Sequence, residues 1–513
     1  MTGRFHIMTV MLCALAGPAV AAGPDVVRIN GDDARTFFGP GTGIKIGIID
    51  SGVDPTHPAL SGTVTGGLPR LVSQANFVPT EPGNTGQDIV GHGTAVAGCI
   101  LSRDATFFGV ATDARYINAR VLDSNNVYDD EHTVANGTCF ALASGANLLN
   151  LSLGNFGGNT SGNSHLSLMC DYISFGLRVP ITISAGNDGN TGNPRPRGPG
   201  DAFNVFSVGA TEYSAYSKVV NFSSYGPTTD LRSKPDLVAP GDLINVPNTN
   251  WETEPDFFTW GGTSFAAPNV AGILAAQMQY GADHGLSRDP LVLKATMLNS
   301  AEKVNDRVNA PWAPGAATTT AGVFEATRPI NRSAGAGQVD GMRLYQQYSV
   351  GEHEAGAVPA LGWDFDAATG VTQIDYHLGA LVAGTSLTAT LAWYRHVAWI
   401  DDGNDVLDGN DSFSALVPLE NLNFQVYRDD VLIAQSVSGA DNLEHLYLAN
   451  VLAGEYLLRV LKATGADTTE EYAFAWFGTG VPEPAMLAPL CLAALCAARS
   501  HRRKISPRED DAG

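Results

Sequence analysis

From Gly43 to about Tyr345 the chain alternates short apolar runs with helical patterns: IKIGIID, AVAGCIL, YINARVL, CFALASG, LLNLSLG, LMCDYISFGL, PITISAG and NVFSVGAT, then an alanine-rich segment. Apolar strands without strict alternation, separated by helices, predict a parallel sheet covered on both faces, an α/β domain. The alanine-rich segment GGTSFAAPNVAG, Gly261–Gly272, opens a stretch from Val270 to Met278 that is apolar around its whole circumference, the mark of a helix buried on all sides. Locally, Thr263 or Ser264 reads as its N-cap, with Pro268 in the first turn, where the missing N–H costs nothing. A serine at the buried end of a central helix still needs a further explanation.

From 346 to 478 the texture changes to LTATLAWY, LNFQVYRDDVLIAQSV, LEHLYLANV, EYLLRVL and YAFAWFG. Alternation, aromatic and β-branched residues, and turns near RDD and LAGE predict an antiparallel β-sandwich or jelly roll. The acidic stretch Asp401 to Asp411 offers oxygens to calcium, but its spacing does not match an EF-hand, and a solvated loop is the default reading of a charge block.

The two ends differ from both regions. Residues 1–22 have one arginine, an apolar run and small residues at Ala19 and Ala21, the pattern of a signal peptide cut near Ala21 or Ala22. Residues 479–513 hold an apolar stretch, Ala485 to Ala498, shorter than the roughly 20 residues of a relaxed membrane span and broken by Pro489. The basic cluster Arg499, Arg502, Arg503 and Lys504 follows and would stay on the cytoplasmic side. These signals predict an exported chain with four parts: 1–22, 23–345, 346–478 and 479–513.

Charge narrows the partners. Against 30 Lys and Arg stand 52 Asp and Glu, a net charge of -22, which argues against nucleic acid or an anionic membrane surface as the partner of the folded part. Of six cysteines, Cys99, Cys139 and Cys170 lie outside the two ends. With no C-x-x-C pair, a metal or redox site is not expected; buried free thiols are the default, and a Cys139 to Cys170 bridge is the alternative in an oxidising compartment.

In open α/β sheets, reactive groups collect at the carboxyl ends of strands. Asp50 ends GIKIGIID just before Ser51-Gly52, and His92 sits among small residues in GHGTAVAGCIL ahead of a helix. Each alone reads as structural. With Ser264 they match a division of labour among a hydroxyl nucleophile, an imidazole that takes its proton and a carboxylate that fixes the imidazole's tautomer. The chain order Asp, His, Ser is that of the subtilisins.

IIDSGV, GHGTAVAG and GTSFAAP, supported by SAGNDG, LSLG, NFSSYGP, KPDLVAPG and GAGQVDG, resemble the subtilisin-like serine proteases, or subtilases, over about 300 residues. The resemblance implies a three-layer domain with a mostly parallel central sheet. It implies serine endopeptidase activity on polypeptides, with Asp50, His92 and Ser264 as triad and Asn187, with the Ser264 N–H at its helix start, as oxyanion donors. Ser152, Leu153 and Gly154 would pair with extended substrate, flanked by Ala185 and Gly186. No cofactor is required, and structural calcium is common in the family, although no ligand set stands out here. Asp188 would favour basic substrate side chains if it reached the first substrate pocket; an exposed loop carboxylate is the default.

Two features depart from the family pattern. Secreted subtilases usually carry a folded pro-domain, whereas only about 20 residues separate the signal from the strand IKIGIID, and a β-rich region follows the catalytic one. The tail, VPEP then an apolar helix and an Arg-rich cluster, resembles the bacterial PEP-CTERM sorting signal cut by an exosortase, although ISPREDDAG extends beyond it. Signal peptidase, an exosortase-like enzyme and membrane contact through the C-terminal helix, transient in sorting or permanent in a simple tail anchor, are the implied partners, and the bacterial cell surface or exterior the destination. The competing reading is a silent subtilase scaffold acting in surface binding or adhesion; an esterase would share the same nucleophile.

Overall fold

The computed structural model describes residues 24–155, 160–212, 217–370, 372–416, 419–462 and 469–478. Seven strands build its central sheet: β1 Lys45–Asp50, β2 Leu71–Asn76, β3 Arg115–Arg120, β4 Leu148–Leu151, β5 Ile181–Ser184, β6 Phe206–Thr211 and β7 Leu237–Pro240. They run in the order β2-β3-β1-β4-β5-β6-β7, and every neighbouring pair is parallel. Because successive side chains point to opposite faces, Ile46 and Ile48 of β1 join one core while Ile49 joins the other. Helices His92–Leu101, Thr263–His284 and Pro290–Ser300 cover the first face, and Glu131–Ala143 and His165–Gly176 the second. Both faces are covered, so β4 to β7 are buried along their whole lengths and show no polar alternation.

This topology places three carboxyl ends side by side. Asp50 closes β1, Ser152 to Gly154 follow β4, and Ala185 to Asn187 follow β5, on adjacent strands. The helix that begins at His92 approaches the end of β1 so closely that a Cβ on Gly93 would lie 2.0 Å from the Gly52 carbonyl oxygen. Only glycine permits that contact.

Beyond the α/β layers, two further sheets face each other. One has seven strands, including Thr372–Leu381, Leu422–Arg428 and Gly454–Lys462; the other pairs Leu361–Thr369, Thr469–Gly478, Leu387–Trp393 and Leu443–Leu448. Tyr376, Phe424 and Leu458 from the first meet Leu391, Phe474 and Trp476 from the second in one core, a β-sandwich. The hairpin Ala316–Thr320 and Val323–Arg328, from upstream of 346, extends the larger sheet. The sandwich does not hang from a linker: Trp363, Tyr394, Leu443, Ala473 and Ala475 belong to the same apolar cluster as Ala295 and Leu298. Buried polar contacts cross the same boundary, with Ser233 N–H donating to Asp441 at 2.6 Å and Thr390 Oγ1 to Asn299 Oδ1 at 3.1 Å.

The acidic stretch is a loop exposed from Asp402 to Val406, as expected, and pinned at its end. Asp411 is buried, and its two carboxylate oxygens accept from the N–H groups of Asp402 at 3.1 Å and Asp408 at 2.8 Å. Asp401, Asp402 and Asp411 bring ligand oxygens within 4.8 Å of one another. The backbone donors offset the Asp411 charge and give the loop its shape.

No disulfide joins Cys139 to Cys170; with Cys99 they are free and buried. Burial pushes the Cys139 thiol up to about 12 and those of Cys99 and Cys170 well above the ordinary range. Among the described residues no helix is long and apolar enough to cross a membrane. The segments read as signal peptide and sorting tail, 1–22 and 479–513, lie outside the described residues.

Candidate active site

Asp50, His92 and Ser264 come from distant parts of the chain and meet at the carboxyl edge of the sheet. His92 Nδ1 lies 2.7 Å from Asp50 Oδ1, and both side chains are buried. The same carboxylate oxygen accepts from Ser51 N–H at 2.7 Å, while Asp50 Oδ2 has no hydrogen-bond partner among the described residues. Burial alone opposes a charge on His92, but the charge and hydrogen bond of Asp50, helped by Asp88, outweigh it and hold the imidazole above its ordinary value. Trp260 meets the ring edge-on at 5.6 Å between centroids, and Phe265 packs at 5.7 Å.

A polar web absent from the sequence expectations locks this pair. Ser51 Oγ donates to Asp88 Oδ1 at 3.0 Å and accepts from Gly93 N–H at 2.9 Å. Asp88 also accepts from Gly91 N–H at 2.8 Å, Thr94 N–H at 2.8 Å and Thr94 Oγ1 at 2.7 Å. It thus serves the free N–H groups at the start of the His92 helix, whose N-cap residue Gly91 has no side chain to do so. An acid four residues ahead of His92 was the available signal.

Neither Thr263 nor Ser264 caps the central helix. Gly262 occupies the N-cap position, no side chain caps it, and Pro268 lies beyond the first turn. Thr263 instead holds Asn187: its N–H and hydroxyl both donate to Asn187 Oδ1, at 2.9 and 3.0 Å, and its hydroxyl accepts from Gly186 N–H at 3.2 Å. With Oδ1 occupied, the Asn187 amide N–H groups are the end left to donate. Among the described residues nothing accepts from the Ser264 N–H.

Ser264 Oγ donates to the Ser152 carbonyl at 3.2 Å, and no hydrogen bond joins it to His92. A cavity of about 380 Å³ opens beside it, lined by His92, Ser152, Leu153, Gly154, Gly186, Asn187 and Ser264 among others. Its size falls in the range of small-ligand pockets. Pairing along β4 stops at Leu151, and the Gly154 backbone makes no hydrogen bond among the described residues. Ala185 does not line the cavity; it is buried, with N–H to Val208 and carbonyl to Arg197 N–H.

The cavity wall also carries Tyr128 and Arg197, which the sequence did not single out. Asp188 is no exposed loop carboxylate: its side chain is 15% exposed and both oxygens accept from the Arg197 guanidinium.

The Subtilase family model, peptidase family S8, matches residues 41–336. Thermitase from Thermoactinomyces vulgaris is 32% identical over 280 residues, 54% of this chain and 86% of thermitase. Subtilisin NAT from Bacillus subtilis subsp. natto is 33% identical over 240 residues, 46% of this chain and 55% of that protein. The thermophilic serine proteinase of Bacillus sp. (strain AK1) is 29% identical over 268 residues, 52% and 58% of the two chains. The match includes the strand ends and helix starts that carry Asp50, His92, Asn187 and Ser264, and the chain belongs to the subtilase family of serine-type peptidases.

Proposed function

We propose that the chain is an exported serine endopeptidase acting through an Asp50–His92–Ser264 triad. The observation that carries this reading is the 2.7 Å Asp50–His92 contact at the rim of the cavity that also holds Ser264 and Asn187. A peptide strand pairs with the backbone beyond the end of β4, at Ser152 to Gly154, and presents its carbonyl to Ser264. The Ser264 hydroxyl turns from the Ser152 carbonyl to His92 Nε2, which takes its proton as Oγ attacks. Asp50 keeps the Nδ1 proton in place and stabilises the imidazolium. The Ser264 N–H and the Asn187 amide receive the oxyanion. His92 then protonates the leaving amine, and water completes hydrolysis of the acyl-enzyme.

Export rests on residues 1–22, read as cleaved by signal peptidase, and surface delivery on the VPEP tail, read as handled by an exosortase-like enzyme with membrane contact through Ala485 to Ala498. Labelling by a fluorophosphonate, alongside assays on casein and a simple ester, tests the chemistry. The expected result is labelling and casein cleavage that both vanish in Ser264→Ala. Folded protein that takes no label would leave the silent-scaffold reading, and ester hydrolysis without casein cleavage would leave the esterase.

A further inference from the structure

We propose that Arg307 and Arg332, grouped about Tyr225 against the loop that carries Asn187, form a docking surface for an acidic stretch of a polypeptide substrate, bound outside the cavity beside Ser264. This inference rests on the peptidase reading above.

Two cations share one ring. The guanidinium carbons of Arg307 and Arg332 lie 4.6 and 4.8 Å from the Tyr225 ring centroid. Their separation is on the scale of the Debye length, about 8 Å at physiological salt, so the two charges act on each other and together on anything that approaches. Among the described residues neither has a carboxylate partner. The acids nearest along the chain are engaged elsewhere: Asp188 by Arg197, Asp230 by Arg232 Nε at 2.8 Å, and Asp306 by the N–H groups of Val308 at 2.9 Å and Ala310 at 2.8 Å. In a chain with 52 Asp and Glu against 30 Lys and Arg, paired arginines without an acid stand apart, and a carboxylate from another molecule matches their planar forks.

The pair is held in place and tied to the cleft. Arg307 Nη2 donates to the Gly189 carbonyl at 2.9 Å, two residues beyond Asn187, and Tyr225 N–H donates to the Pro194 carbonyl at 2.8 Å on the same loop. Gly226 N–H donates to the Arg332 carbonyl at 2.7 Å, which fixes the segment that carries the second cation. Arg332 is exposed, and Arg307 and Tyr225 are half-buried. A guanidinium already stacked on a ring loses little freedom when a carboxylate binds. From Asn187 to Gly189 the chain spans at most about 7 Å, so an extended substrate with its carbonyl at the Asn187 amide brings a side chain about three to five residues away within reach of the pair. The net charge of -22 opposes a large anionic polymer or surface, whereas a short acidic stretch meets only the local field.

The test compares the wild-type enzyme on peptides identical around the cleaved bond that carry a block of glutamates or of glutamines about three to five residues away, placed upstream in one pair and downstream in the other. In one placement the Glu peptide is expected to show a KM lower by about three- to tenfold at low salt, the sum of a few exposed charge pairs. Its kcat should match that of the Gln peptide, because contacts remote from the reacting bond hold substrate and transition state alike. About 0.5 M NaCl should erase the difference. Arg332→Gln, checked for native circular dichroism, is expected to remove most of it, and Arg332→Lys, which keeps the charge, to retain part. Equal KM values for Glu and Gln in both placements overturn the proposal, and so does a difference that neither salt nor a folded Arg332→Gln variant moves. Salt-sensitive self-association that Arg332→Gln abolishes, with equal KM values, overturns it in favour of a second copy of the chain. Fluorophosphonate labelling of the wild type separates the two levels: a labelled enzyme indifferent to the acidic block refutes only this inference, whereas an unlabelled one refutes the peptidase reading.

Discussion

Ser152 and Ser264 are bound to each other twice: Ser152 Oγ donates to the Ser264 carbonyl at 2.8 Å, and Ser264 Oγ donates to the Ser152 carbonyl at 3.2 Å. The first bond exists because of Pro268. In a regular helix the N–H of residue 268 would take the carbonyl of residue 264, and proline has none to give.

Removing the Ser152 hydroxyl leaves that buried carbonyl without a donor. We expect Ser152→Ala to destabilise the fold by about 1 to 3 kcal/mol in urea unfolding. In the Ser152→Ala background, Pro268→Ala supplies an N–H in the helix and should recover part of the loss, a coupling of at least about 0.5 kcal/mol. Strictly additive effects would contradict the link.

The raised pKa of His92 fixes a pH dependence. Its folded value lies above the ordinary 6.5, so the charged Asp50–His92 contact stabilises fully below that pH and its contribution is lost as pH rises through the folded value. Catalysis needs the neutral imidazole, so the acid limb of kcat/KM should fall above 6.5 in the wild type. In Asp50→Asn the larger opposing charge is gone and only Asp88 still counters burial, so the limb should move to lower pH than in the wild type while kcat drops by about 10⁴-fold. A pH–rate profile of both enzymes checks the direction.

Asn187→Leu should lower kcat by about 10² to 10³ with little change in KM, since the lost donor acts on charge that appears only in the transition state. Thr263→Val should cost less, because the Thr263 N–H still holds Asn187 Oδ1 after the hydroxyl is gone. Equal losses in the two variants, measured by steady-state kinetics, would mean that Thr263 does more than position the amide.

The shared core predicts how the chain responds to truncation. Ending it at residue 345 strips Trp363, Tyr394, Leu443, Ala473 and Ala475 from the cluster around Leu298. Burying a large apolar side chain contributes about 1.5 to 3 kcal/mol, so the shortened chain should aggregate or bind a hydrophobic dye. A soluble, dye-silent product of 24–345 would show that the α/β layers stand alone.

How far the sequence could be read follows from what holds each residue in place. Asp50 stood out at the end of an apolar strand, His92 among small residues ahead of a helix and Ser264 at a buried helix start, whereas Asn187 came only from the resemblance to subtilases; Gly93 against Gly52 shows why small residues are needed there. The parallel sheet followed from apolar runs that skip alternation. The cap expectation failed because local preference favours Thr263, whereas in the fold its hydroxyl is drawn to Asn187 from far along the chain. The pairings of Asp188 with Arg197, and of Asp88 with Ser51, were hidden for the same reason: only folding sets these partners. The division near 346 marks a change of texture, yet packing runs straight across it.

The three buried thiols carry a consequence for how the protein matures. None of Cys99, Cys139 and Cys170 is poised as a thiolate, and none is bonded to another. The fold therefore needs no disulfide bond among these three cysteines. Dithiothreitol should leave the folded protein and its activity unaffected.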